Sequence, residues 1–153
     1  MKPETLGKLN APFTAAEHRD RTLPGGGKWF FIPWQVIRKR VNEACPDWSV
    51  SYSDPVVAAD FIVIRCLLTI EGITREGVGN DKAFPDKQTY GTPIERAIAD
   101  AFKNAAEQFG VGAYLDNQAF VIKLMQNQGD GRAYAYSDRR QQLKSTNRPV
   151  RKS

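Results

Sequence analysis

The four residues Thr92-Pro93-Ile94-Glu95 restrict this chain more than any others. A threonine followed three residues later by glutamate is a capping box. In it each side chain satisfies a backbone N–H that the first helical turn leaves unbonded. Proline suits the first helical position, where an N–H would have no intrahelical partner. Apolar residues then recur at helical spacing through Ile94, Ala97, Ile98, Ala101, Ala105 and Phe109, and Gly110 supplies a C-terminal stop. Arg96, Asp100, Lys103 and Glu107 fall on the opposite side. Because the buried stripe is rich in alanine, this helix can bring its backbone close to a partner. The preceding residues predict that the partner is a sheet.

In those residues the period changes. Trp34, Ile37, Val41 and Ala44 recur at helical spacing, with Pro33 in the first turn and Pro46 as the stop. Trp48, Val50 and Tyr52 then alternate with Ser49, Ser51 and Ser53, the pattern of a half-buried strand. Asp54-Pro55 marks a turn. Phe61 to Ile70 is apolar on both faces except at Arg65 and Thr69, which predicts a central strand. Glu71-Gly72 forms a hairpin turn, and residues 73–78 return as the next strand. Residues 80–91 read as a loop and residues 120–125 as one more short helix.

The fold class is therefore α+β, a three-stranded antiparallel meander packed by a long helix, with a short helix before it. Residues 1–27 carry Pro3, Pro12 and Pro24 and close on Gly25-Gly26-Gly27, which predicts a mobile arm and a hinge. The core domain is expected over residues 28–127. Residues 128–153 are polar and basic, and read as a disordered tail.

Composition limits the function classes. With 153 residues, 41% apolar and 25% charged, the chain has the size and make-up of one domain. A chain this long buries enough surface to fold without disulfides or structural metal. Its two cysteines (Cys45, Cys66) and single histidine (His18) offer no metal cage, and they suit a reducing cytoplasm. The run from Phe61 to Ile64 stops at Arg65, so no membrane helix is expected, and MKPETLGKLNAPF lacks the apolar core of a secretory signal. Net charge is +5, divided as +2 over residues 1–28, −3 over 29–120 and +6 over 121–153. Basic ends around a mildly acidic centre are consistent with an anionic partner.

Local motifs for enzymatic chemistry fail. Gly25-Gly26-Gly27-Lys28 departs from a phosphate loop, with Thr22 where the first glycine belongs and Trp29 after the lysine. Gly110-Val111-Gly112 follows a helix, so it is no dinucleotide fingerprint. The carboxylates Asp54, Asp60, Glu71, Asp86 and Asp100 are scattered, and no motif supports the two-metal nuclease they could otherwise build. No enzyme activity and no cofactor are expected. Arg38-Lys39-Arg40 is the densest basic cluster of the core; alone it reads more readily as a solvated helix face than as a binding site. Trp29, Trp34 and Trp48 are candidates for base stacking, although their places on apolar stripes favour packing.

Taken in order, the glycines, PWQVIRKRVNEA, DWSVSY, the hairpin EGITREGVG and the helix IERAIADAFKNAAEQFGVGAYLD make a recognisable set. The set resembles the Rad-fifty-two superfamily of single-strand annealing proteins, which includes bacterial DdrA and phage Sak-type members. Its most specific part is DAFKNAAEQFG, residues 100–110, similar to the family block D-x-[LF]-K-R-A-x-x-x-F-G. The resemblance covers residues 25–116. It implies a β-β-β-α core that assembles into rings or open curved oligomers, binds single-stranded DNA in a basic groove and anneals strands without nucleotide hydrolysis. It assigns backbone binding to Lys103. The next family residue is usually Arg where this chain has Asn104, and another family Arg corresponds to Gln35. Arg38 and Lys39, on the same helical side as Gln35, supply replacement charge in this reading.

Arg40, Lys28, Arg75, Lys82 and Arg96 complete the candidate DNA-binding set. The expected partners are single-stranded DNA, further copies of the chain, and duplex DNA through the basic tail, in a cytoplasmic, nucleoid-associated setting. End protection without annealing and double-stranded RNA binding stay open as alternatives.

Overall fold

The structure is a computed structural model that describes residues 1–86 and 91–134. The chain divides into two compact units, one of Met1–Ala11 with Pro33–Ala113, the other formed by Pro12–Ile32 with the residues from Tyr114 onward.

The first unit holds helices α1 (Pro3–Asn10), α2 (Trp34–Ala44) and α3 (Pro93–Glu107) and strands β3 (Ser49–Tyr52), β4 (Val56–Ala58), β5 (Phe61–Ile70) and β6 (Ile73–Lys82). Every pairing is antiparallel, and β5 is central. β6 pairs with β5 over its whole length, so β3 and β4 share the other edge, β3 against residues 66–69 and β4 against residues 61–63. The edge expected as one strand is therefore two, broken around Asp54-Pro55, where Ser53 Oγ accepts the N–H of Arg65 at 2.9 Å. β6 also outruns its expected end. Residues 80–82, read as loop because they are polar, pair with residues 61–63, and Asp100 on α3 accepts the N–H of Asn80. The Glu71-Gly72 turn has positive φ at both residues, 49° and 76°, as a tight hairpin requires.

The capping box at Thr92 forms as expected, with Thr92 Oγ1 accepting from Glu95 N at 3.2 Å and Glu95 accepting from Thr92 N at 2.9 Å. Pro33 precedes α2 as its cap and is not within its first turn; its carbonyl accepts from Val36 and Ile37. The alanine stripe of α3 meets glycine on the sheet. A Cβ built at Gly77 or Gly79 would stand under 3.0 Å from the backbone of Ala105 and Ala101 respectively. Helix and strand backbones are thus in direct contact, and Ile64, Cys66, Leu68 and Ile70 fill the same face of β5.

Residues 1–27, expected as an arm, are structured. The helix α1 buries Thr5 and Leu9, and Thr5 Oγ1 donates to Glu71 at 2.5 Å. That hydroxyl, with the Lys2 N–H, holds the Glu71 carboxyl below its ordinary value. Asn10 donates to Phe109 O at 3.4 Å, and Arg40 donates to Ala11 O and Lys8 O at 2.5 and 3.2 Å.

The second unit is built from β1 (Arg19–Thr22), β2 (Lys28–Phe31) and α4 (Gln118–Asn127). The three glycines are the turn of the β1–β2 hairpin. Gly25 and Gly26 have φ near +92° and +91°, and Leu23 N donates to Gly27 O. Phe30, Val121, Ile122, Met125, Ala15 and Ala133 pack as its core. Burial of Ala133 corrects the expected boundary of a disordered segment at residue 128. Arg132 donates to the carbonyls of His18 and Ala15 at 2.9 and 3.1 Å and pairs with Asp130 and Asp20. The rest of the expected tail, residues 135–153, lies outside the described residues.

His18 is buried in this unit, its Nδ1 2.7 Å from Thr14 O and its Nε2 2.9 Å from Tyr114 Oη, which also accepts from Phe13 N. A carbonyl only accepts, so Nδ1 carries the proton, and the neutral ring satisfies every partner. Burial above all, and the Arg132 cation more weakly, lower its pKa from 6.5, against the Thr14 carbonyl, Glu17 and Asp130, which raise it. The folded form therefore binds this proton more weakly than the unfolded form. Stability from the neutral ring is complete above about pH 6.5 and falls with decreasing pH until the lower folded value is passed. Thermal unfolding at pH 7.5 and pH 5 is expected to show a drop that a His18→Gln variant reduces.

Candidate nucleic-acid interface

The helix α2 is amphipathic, with Ile37, Val41 and Ala44 buried. Its other side projects Arg38 and Lys39 into solvent. One helical turn separates Trp34 from Arg38, and the Arg38 guanidinium carbon lies 5.8 Å from the Trp34 ring centroid. It is also 5.8 Å from the ring of Trp48, which precedes β3. Both indoles stand edge-on to Phe102 of α3, at centroid distances of 6.1 and 5.9 Å, and Trp48 Nε1 donates to Asn42 at 3.2 Å. Phe102 is buried, so the pair of indoles is anchored in the core while the cation they hold stays exposed. Among the described residues no carboxylate lies within 4.0 Å of Arg38.

Lys103 follows Phe102 on α3 and is half-buried. Tyr52 on β3 sits opposite Cys66 of β5. Burial, then Cys66, push the Tyr52 phenol up to about 12, against the pull of the Arg38 cation, and burial pushes the Cys66 thiol up to about 11. Both stay protonated at neutral pH, so the charge at this place is that of the bases alone.

The remaining expected residues divide. Lys39 approaches Glu43 at 3.8 Å, an exposed pair one turn apart that water screens. Arg40 is turned to the end of α1, as described above. Arg96 pairs with Asp81 and donates to Gly91 O at 2.9 Å, which ties α3 to the end of β6. Arg75 and Lys82 are exposed on β6 but pair opposite Leu68 and Phe61, at different ends of β5. Lys28 lies in the second unit and meets Asp20 at 2.8 Å; Lys28 and then burial and Arg132 set that carboxyl, with a net lowering. The structure thus associates Arg38 with two indoles and the helix that bears Lys103, and occupies Arg40, Arg96 and Lys28 elsewhere. Asn104, next to Lys103, donates to Val78 O at 2.7 Å.

Trp34 and Trp48, for which the sequence favours packing over base stacking, do pack against Phe102 and also stand beside Arg38. The spacing of Trp34 and Arg38 by four on a helix was a usable signal; nothing local announces Trp48. Among the described residues no group of three or more His, Cys, Asp or Glu could hold a metal ion. No described helix is long and apolar enough to cross a membrane.

Residues 3–134 match the family model described as Rad52/22 family double-strand break repair protein. The chain is 29% identical over 118 residues to DNA repair RAD52-like protein 1, mitochondrial, of Arabidopsis thaliana, covering 73% of this chain and 65% of that protein. It is 33% identical over 82 residues to single-stranded DNA-binding protein DdrA of Deinococcus radiodurans, covering 53% of this chain and 36% of the relative. The protein of the same name from Deinococcus deserti is 32% identical over 80 residues, covering 52% and 37%. The matched stretches span less than two thirds of each relative's own length. With its β5–β6 hairpin, its capped α3 and 132 residues inside the family match, this chain belongs to the Rad52/22 family of double-strand break repair proteins.

Proposed function

We propose that this chain binds the phosphate backbone of single-stranded DNA through Arg38, Lys39 and Lys103, and that copies of it side by side anneal complementary strands without nucleotide hydrolysis. The observation that carries this reading is Arg38, an exposed cation with its ring partners anchored and, among the described residues, no carboxylate within 4.0 Å. Family membership and the DdrA relatives, whose name states single-strand binding, support it.

Annealing asks for little chemistry. Two complementary strands repel through their phosphates and fold on themselves. Cations that neutralise phosphates release counterions, so binding weakens steeply as salt rises. A backbone grip leaves base edges available for pairing. A few contacts per subunit bind weakly, and an array of subunits multiplies them through effective concentration. Oligomerisation is part of the mechanism for that reason, and a mildly acidic core is no obstacle, because the sign of the local surface decides.

The test is the rate of duplex formation from complementary oligonucleotides with and without protein, read beside the protein's mass in solution. Faster pairing by a multimer is expected. A monomer that leaves the rate unchanged would reject the proposal, and binding to 3′ ends without acceleration would indicate end protection instead. Preferential capture of duplex RNA over oligo-dT would point to RNA recognition.

A further inference from the structure

We infer that Trp34 and Trp48 are positioning residues that hold the Arg38 guanidinium flat between two indoles with its N–H edge turned to the incoming phosphate. The inference rests on the DNA-binding reading above and assigns it two residues that do not themselves carry charge.

A guanidinium is a planar cation whose five N–H donors lie in its plane, while its faces are weakly hydrated and suit aromatic rings. A free arginine on a helix samples many rotamers, and a phosphate must select one of them. Here the selection is made beforehand. The guanidinium carbon is equidistant from the two rings, at 5.8 Å. Within that range a cation is attracted to the ring face. Neither indole is free to follow a mobile side chain. Both lean edge-on against Phe102, which is 1% exposed, and Trp48 is further fixed by its N–H bond to Asn42. A guanidinium held between the rings in the inferred way offers its in-plane donors to an anion. Oxygen pairs of a phosphate match that edge.

The same geometry argues against the indoles as base-stacking platforms. Each already has the arginine near its ring, and each has an edge contact in the core. Their contribution to binding should therefore vanish when Arg38 is absent, which a double-mutant cycle reads directly. The proteins are wild type, Trp48→Leu, Arg38→Gln and the double variant, with a fluorescent oligo-dT as probe. Loss of one cation–ring contact is expected to weaken Trp48→Leu by about two- to five-fold. Arg38→Gln should lose more and lower the salt slope by about one. In the Arg38→Gln background, Trp48→Leu should cost nothing further. Trp48→Tyr, which keeps a ring, should recover most of the affinity, and Trp34→Leu should repeat the pattern should Trp48→Leu fail to fold. In the Lys103→Ala background the Trp48→Leu loss should persist in full.

Equal losses from Trp48→Leu with and without Arg38 would overturn the positioning role while leaving DNA binding intact. So would unchanged affinity in both tryptophan variants. Failure of the wild-type protein to bind oligo-dT would overturn the DNA-binding reading itself, and this role with it.

Discussion

Gly79→Ala is expected to destabilise the first unit by about 3 kcal/mol or more, the upper end for overpacking, because the obstacle is backbone and cannot rotate away. The added Cβ would meet the N and Cα of Ala101 and the carbonyl of Ala97, and Gly77→Ala would meet the corresponding atoms of Ala105 and Ala101. Either the helix lifts along its length or β6 is pushed from β5. Against a typical total of about 5–15 kcal/mol, such a loss is a large share. Urea unfolding should show it as a lower midpoint. Gly131→Ala is the matched control, since its Cβ has nothing within 4 Å, and a change within about 0.5 kcal/mol is expected there. A wild-type midpoint for Gly79→Ala would mean that α3 does not rest on the strand at this height.

The second large effect concerns the bases. Replacing Arg38, Lys39 and Lys103 together with alanine is expected to weaken oligo-dT binding by about 100-fold at low salt, two charge-assisted contacts at roughly ten-fold each with Lys39 adding less. The loss should be uniform across base sequences, and the salt slope should fall by about one per phosphate contact removed. Circular dichroism should stay as in wild type, because Arg38 and Lys39 are exposed and none of the three is in the apolar core. An unchanged affinity at moderate salt would remove these residues from the interface. A loss confined to one base composition would mean that base edges, not phosphates, are being read.

The elements that could be anticipated are those whose cause is local. Thr92, Pro93 and Glu95 specify the start of α3 within four residues, and Glu71-Gly72 specifies a turn within two. The close approach of α3 was legible in its alanines, and its counterpart, Gly77 and Gly79, lies in the same hairpin. Residues 1–27 were misread for the opposite reason. Their bonds reach across the chain: Asn10 to Phe109, Ala15 to Gln128, Ala15 to Arg132. Proline and glycine punctuation is the same in a mobile arm and in a short helix followed by a hairpin. Only partners about a hundred residues away distinguish them. The candidate site shows the same division. Arg38 and Lys39 could be chosen as a basic cluster, and the one-turn distance from Trp34 to Arg38 was readable. That Arg40 turns to the end of α1, and Arg96 to Asp81, depends on contacts no local pattern encodes.

One consequence follows from the way α3 trims the sheet. Asp100 takes the outward N–H of Asn80 and Asn104 takes the outward carbonyl of Val78, so two rungs of that border are already filled from within the molecule. A stray β-strand drifting alongside would find one donor and one acceptor there already taken. The two side chains thus leave this flank a poorer template for fibre-like growth.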